Sequence, residues 1–337
     1  MIKSVKLQNF RIHDNYETNF TDKINIIIGN NGAGKTSVIE AIYISQTGKS
    51  WRSNFDSITK QNKQWWRVDI KDEDINKNIK FDNKKSFEIN NKKYSSLPKK
   101  HKGSVVLFEP DNLNLLYGSP GQRRRWLDKL LNDIDIECNL ILNKFEKVLK
   151  QRNFLLKNQS TSEKLFVWDL QFADLASQII KKRIDMINII NKKIPTEYER
   201  ISNKKDSVKM EYVFDNVYTK QDILNQLQNN HNLESITGNT SIGPQKHDIL
   251  FKFKNQPAAV SASRGENRSI ILALKNIEYQ IKKNNQSNPL ILLDDIMSEL
   301  DENHQKSILE AFKDSQVIIT SVGLLNIKND VNVIKIS

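Results

Sequence analysis

The sequence has a single cysteine, Cys138, in 337 residues. That excludes an intramolecular disulfide and a zinc site built from cysteines. Its five histidines are scattered without ligand spacing, so no structural metal is expected. Hydrophobic residues make up 38% of the chain, and no apolar run approaches the ~18 residues of a membrane-spanning helix. The opening MIKSVKLQNF lacks the apolar core and cleavage site of a signal peptide. A soluble protein of a reducing compartment, the cytoplasm, is the expectation. Internal repeats, a helix-turn-helix and a zinc finger are also missing, which argues against a base-reading repressor.

Positive charge is in excess. Lys and Arg number 52 against 40 Asp and Glu, for a formal net charge of +12. Such a surplus suits a polyanion: nucleic acid, an anionic membrane face or nucleotide phosphates. The length corresponds to about two domains, or to one large domain with an insertion.

Residues 1–110 read mainly as strands. Val5 and Leu7 alternate with polar neighbours, Ile24 to Ile28 form a run suited to a strand buried on both faces, and SVVLF at 104–108 is a third such run. Between 121 and 195 the apolar spacing becomes helical with few Gly or Pro, predicting an arm of about three helices. Strands return at MEYVF and ILFKF, a helix is predicted over 266–283, and the strands NPLILL and QVIIT follow. The expectation is an α/β fold: residues 1–110 and 206–337 form a head with a mixed sheet and helices, interrupted by a helical arm over 111–205. The Asn- and Lys-rich stretch 71–102 alternates in a way that permits a solvent-facing β meander.

INIIIGNNGAGKT at 24–36 matches G-x-x-x-x-G-K-[ST] through Gly29, Gly34, Lys35 and Thr36, with a strand before it and a helix after it. In such a loop the backbone N–H groups of Gly29, Asn30, Asn31, Gly32, Ala33, Gly34, Lys35, Thr36 and Ser37 wrap the phosphates of a nucleoside triphosphate. Lys35 is expected at the β- and γ-phosphates and the Thr36 hydroxyl on Mg²⁺. NPLILLDD at 288–295 is an apolar strand ending in two carboxylates. Asp294 is expected to hold the metal through a water, and Asp295 to orient or deprotonate the attacking water. ATP and Mg²⁺ are the implied ligands, and Lys35, Asp294 and Asp295 the catalytic candidates.

Ser263, Gly265 and Glu266 stand at the start of the 266–283 helix, a second place where a helix N-terminus can meet an anion. This element resembles the S-x-G-[EQ] signature of ABC-type ATPases, which in that superfamily contacts the nucleotide of the opposite subunit. SELD at 298–301 lies where those proteins keep a D-loop, with Asp301 as the matching residue. The order of LQNFRIHDNYETNF, KSWRS, LFEPDNLNLLYGSP, RRRWLD, GPQKHDIL, SRGENR and LLDDIMSELD resembles the RecF family of bacterial DNA replication and repair proteins over almost the whole chain. Departures are Gln245, Lys246 and His247 in GPQKHDIL, where that family commonly has His-Arg-Asp, and Glu266-Asn267-Arg268 in the signature.

The resemblance implies a slow, DNA-stimulated ATPase whose ATP-induced homodimer binds duplex and gapped DNA, including junctions with single strands. It implies work with RecR and RecO to load RecA, and it places Arg52 near the phosphates. Thr320 and Ser321 follow the last core strand, where ABC transporters place a histidine. An ABC-transporter ATPase subunit is disfavoured by that difference, by the helical arm and by the basic balance. A chromosome protein of the SMC or Rad50 type would need long heptad arms, which the sequence lacks. A DNA-binding head that senses ATP without hydrolysing it shares every motif. Candidate DNA contacts are the basic clusters Arg123–Arg125, Lys147–Arg152, Lys181–Arg183 and Lys92–Lys102. Trp65 and Trp66 are either core or a base-stacking pair.

Overall fold

The computed structural model describes all residues except 74, 160, 286–287, 298–299, 324–330 and 337. In chain order the first elements are β1 (Ile2–Phe10), β2 (His13–Asn19), β3 (Ile24–Ile28), α1 (Lys35–Thr47), β4 (Trp65–Asp72), β5 (Asn76–Asp82), β6 (Lys84–Ile89), β7 (Lys92–Tyr94) and β8 (Val105–Phe108). There follow α2 (Asn114–Tyr117), α3 (Pro120–Ile134), α4 (Ile136–Lys157), α5 (Ser162–Ser202), β9 (Val208–Val213), α6 (Lys220–Asn229), α7 (His231–Thr237), β10 (Asp248–Phe253), β11 (Gln256–Pro257), α8 (Ala258–Ser261) and α9 (Arg264–Asn284). The last are β12 (Leu290–Leu293), α10 (Glu302–Ala311), β13 (Val317–Ser321) and β14 (Val331–Lys335).

The chain divides into two compact units, Met1–Asn112 with Glu278–Ser337, and Leu113–Ile277. In the first unit the expected mixture of strands resolves into two sheets. One is antiparallel, in the order β2-β1-β4-β5-β6-β7, and the other is wholly parallel, in the order β14-β3-β13-β12-β8. Parallel strands are buried on both faces, so β8 and β12 read as unbroken apolar runs. Strand β3 carries one polar residue, Asn25. It is fully buried, and its amide is satisfied by Thr21 O at 2.9 Å and by Thr21 N at 2.8 Å. The meander expected within 71–102 is formed by β5, β6 and β7, paired in antiparallel register.

In the second unit α3, α4 and α5 account for the three predicted arm helices. Two boundaries differ from expectation. Helix α5 passes through Pro195 to Ser202 instead of ending near 195. Packing against β9 holds it there: Asn191 exchanges two hydrogen bonds with Met210, at 2.8 and 2.7 Å. The compact unit also runs on to Ile277 rather than stopping at 205. The sheet β11-β10-β9 packs on α3 and α5, so these strands belong with the arm helices.

Candidate nucleotide site

Strand β3 delivers the chain into the 29–34 loop, and α1 takes it away. Gly34 has φ 92, and a Cβ there would collide with the His13 imidazole. Gly32 has φ 86 in open space, so its backbone conformation alone calls for glycine. At Gly29 a side chain would run into the Ile336 carbonyl. The loop is therefore kept bare by its own surroundings, with Asn30, Asn31 and Gly32 exposed. Ala33 N closes a turn on Asn30 O at 3.2 Å, and Ser37 N bonds Gly34 O at 3.0 Å.

Lys35 is buried, and its Nζ donates to the Gly29 and Asn30 carbonyls at 2.9 and 3.1 Å. The ammonium thus lies folded over the loop. Phosphate oxygens are stronger acceptors than amide carbonyls and can draw it outward.

Asp294 follows β12, and the backbone closes there, Asp294 N donating to Phe108 O at 2.9 Å. Its Oδ1 accepts from Thr36 Oγ1 at 2.8 Å and from Thr320 Oγ1, at the end of β13, at 2.9 Å. Thr320 Oγ1 also accepts from Asp295 N at 2.9 Å, and Asp295 has φ 51. Burial pushes the Asp294 carboxyl above the usual carboxylate range, the two threonine hydrogen bonds oppose this, the Asp295 charge adds to it, and Arg52 draws it down. The carboxyl ends of β3, β12 and β13 lie side by side, the position at which open α/β sheets bind ligands. One hydroxyl and one carboxylate oxygen, already adjacent, are hard donors that fit Mg²⁺ sharing its shell with phosphate and water.

Arg52 is 45% exposed at its side chain and lies 4.0 Å from Glu40. Sequence reasoning missed Arg11, Glu40 and the role of Thr320. Arg11 and Glu40 sit in the segments that flank the phosphate loop, but only the fold brings them together.

The signature element lies in the other unit. Ser263 N donates to Glu266 Oε2 at 2.8 Å and Glu266 N to Ser263 Oγ at 3.3 Å, a reciprocal capping box. These hydrogen bonds lower the Glu266 pKa. A Cβ on Gly265 would meet nothing within 4 Å. In SELD, Ser298 and Glu299 lie outside the described residues, while Asp301 caps α10 by accepting from His304 N at 3.0 Å.

Three of the four basic clusters turn out to be partly internal. Arg123 is buried against Asp248, Arg152 against Asp169 and Glu234, and Arg183 against Asp128. Burial of these guanidiniums beside carboxylates removes them as DNA contacts. Arg125, Lys147, Lys150 and Lys181 remain exposed. Trp66 is fully buried, its ring 5.2 Å from Phe10 and its Nε1 donating to Phe55 O, so it is core and cannot stack bases.

Known proteins resemble this chain in sequence and in fold. The model of the RecF/RecN/SMC N terminal domain matches residues 1–337. A DNA replication and repair protein RecF of Clostridium acetobutylicum is 32% identical, covering 99% of this chain and 97% of that protein. A RecF of Clostridium botulinum is 34% identical over 96% of this chain and 93% of its own length. Among solved structures, the recombination mediator protein RecF with ATP, of the RecFOR pathway, superposes with a TM-score of 0.87 at 25% identity, over 99% of this chain and 95% of that one. An Smc head bound to the C-winged helix domain of ScpA shares the fold, with a TM-score of 0.54 at 15% identity over 96% and 90% of the two chains.

Proposed function

The chain belongs to the RecF family, within the wider RecF/RecN/SMC group, and from that premise we propose that it is an ATP-gated, DNA-binding ATPase of replication and recombinational repair. The observation that carries the reading is the meeting of Thr36 and Asp294 at 2.8 Å beside the Lys35 loop. Gly29 to Ser37 wrap the phosphates, and Lys35 swings from the loop carbonyls to the β- and γ-phosphates. Thr36 and Asp294 hold Mg²⁺, which neutralises phosphate charge when bound. Asp295 orients the attacking water, and Arg52 supplies positive charge at the phosphates.

Ser263, Gly265 and Glu266 of a second copy close the site, so ATP joins two copies head to tail. ATP favours the dimer because it touches both subunits only there. Exposed lysines and arginines then grip duplex or gapped DNA, including its single-strand junctions, through phosphates and without reading bases. Slow hydrolysis separates the subunits and releases DNA. In the cytoplasm RecR and RecO would be its partners, and RecA the protein loaded. In domain terms residues 1–112 with 278–337 carry the phosphate loop and Asp294, and residues 113–277 carry the arm helices together with the signature element.

The test measures ATP hydrolysis against protein concentration, with and without gapped duplex DNA, at two salt concentrations. Specific activity should rise with both protein and DNA, and the DNA effect should shrink at the higher salt. Activity indifferent to both would overturn the gated dimer. Binding of ATP without turnover would leave a sensor. Lys35→Met should abolish ATP-dependent dimerisation, and a variant that dimerised and hydrolysed normally would refute the site itself.

A further inference from the structure

One carboxylate of the nucleotide unit is fully enclosed and has no part in the ATP chemistry proposed for Lys35, Thr36 and Asp294. Glu40 lies on α1, beyond Lys35, with 0% exposure. A buried carboxylate is tolerated only with close partners. Arg11 supplies a fork, Nε to Oε2 at 2.8 Å and Nη2 to Oε1 at 2.7 Å. Ser50 Oγ donates to Oε1 at 2.6 Å. The same hydroxyl accepts from the backbone N–H of Arg52 at 3.0 Å and of Ser53 at 3.2 Å. Arg11 also ties down this segment, donating to Ser53 Oγ at 2.6 Å and Ser57 O at 2.9 Å.

Two guanidiniums therefore face one carboxylate. Arg11 is the inner partner and neutralises it. Arg52 Nη1 stays 4.0 Å away, outside hydrogen-bond distance and half in solvent. Arg52 can leave Glu40 without stranding a buried charge, because Arg11 remains. Glu40 follows Lys35 by five residues on the helix that begins at the phosphate loop, so Arg52, 4.0 Å from Glu40, stands within about two helical turns of that loop.

We infer that Glu40 is a positioning residue that, through the Ser50 hydroxyl, fixes the backbone of Arg52 so that its guanidinium stands at the mouth of the phosphate site. Arg11 keeps that carboxylate neutralised throughout. The inference rests on the ATP reading and adds a residue to it.

A double-mutant cycle in the full chain tests it, using Glu40→Gln, Arg52→Ala and both together. Glu40→Gln should lower kcat about 10- to 100-fold, the scale of a misplaced reacting group. KM for ATP should stay within about threefold, as expected when a ground-state contact is not removed. The double variant should be no slower than Arg52→Ala alone, because both changes remove one interaction. Additive losses, or wild-type kcat in Glu40→Gln, would overturn the inference. Should Glu40→Gln fail to fold, Ser50→Ala cuts the relay while sparing the Arg11–Glu40 fork and carries the same expectation. If wild-type protein neither binds a fluorescent ATP analogue nor hydrolyses ATP, the nucleotide reading falls and this inference with it.

Discussion

Thr36 Oγ1 donates to Asp294 Oδ1 at 2.8 Å, although the two residues lie 258 positions apart in sequence. The hydroxyl starts α1 and the carboxylate ends β12, so the parallel sheet is what brings them together. Either partner alone is an ordinary residue. Together they form the start of a hard-donor set beside a bare phosphate loop. Asp294→Asn keeps the shape and the hydrogen bonds but removes the charge. ATP hydrolysis should fall about 100-fold or more, the usual scale for losing an electrostatic stabiliser. Phosphate release measured across a Mg²⁺ titration checks this. Near-normal rates at every Mg²⁺ concentration would show that the carboxylate does not serve the metal.

His247 makes the second unit sensitive to acid. It is 4% exposed, with Tyr212 Oη 2.9 Å from its Nδ1. Burial lowers its pKa to about 4, Asp215 opposing and the charges of Arg183 and Arg124 adding to the effect. The folded chain therefore holds this histidine neutral, whereas the unfolded chain takes up a proton below about 6.5. Stability from this residue is complete above that pH and is lost as pH falls from about 6.5 to about 4, on the order of 3 kcal/mol in all. Melting curves over this window should show the decline. His247→Gln, which cannot take up the proton, should flatten it, and an unchanged slope would refute the assignment.

Arg152 separates an internal role from a DNA contact. It is fully buried, with Nε 2.6 Å from Asp169, Nη2 2.7 Å from Glu234 and Nη1 2.8 Å from the Thr240 hydroxyl. Arg152→Ala leaves two carboxylates without their cation and should destabilise the protein by about 3–5 kcal/mol. Lys147→Ala with Lys150→Ala, on the exposed side of the same helix, should leave the melting temperature unchanged. This pair should instead lower the salt slope of DNA binding by about one unit for each phosphate that is no longer neutralised. Chemical denaturation and binding titrations at several salt concentrations distinguish the two. The reverse pattern would return Arg152 to the DNA surface.

The local parts of the molecule were legible in the sequence. The 29–36 loop is contiguous, its glycines and lysine stand at the motif spacing, and its flanking strand and helix follow from apolar pattern. The strands β8 and β12 were visible because parallel strands buried on both faces leave unbroken runs. What was hidden depended on distant partners. Nothing in FRIH or VIEA states that Arg11 and Glu40 will meet. The fate of the basic runs was partly readable. Arg152 follows Phe145 and Val148 at seven and four residues, one helix face, and all three are buried. Arg123 precedes Leu127 and Leu130 in the same way. Reading the runs as charge alone hid this periodicity. The extent of α5 was also hidden, because Pro195 marks a helix end locally while the hydrogen bonds of Asn191 to β9 keep the helix going.

Gly265 offers the sharpest separation of stability from assembly. It lies in the first turn of α9, its φ is outside the left-handed region, and a Cβ there would meet nothing within 4 Å. Among the described residues no neighbour calls for glycine at this position. In a helix alanine is favoured over glycine by up to about 1 kcal/mol, so Gly265→Ala should leave the melting temperature unchanged or raise it. What a bare backbone does provide is close approach from outside, and the adjoining helix N-terminus favours an anion. If a phosphate of the opposite subunit's ATP docks here, Gly265→Gln should fold normally as a monomer and lose ATP-dependent dimerisation. Sedimentation with and without ATP, run beside thermal melts, reads both quantities on one preparation. Normal dimerisation of Gly265→Gln would mean that no subunit approaches at this turn, and the head-to-tail arrangement would have to be abandoned.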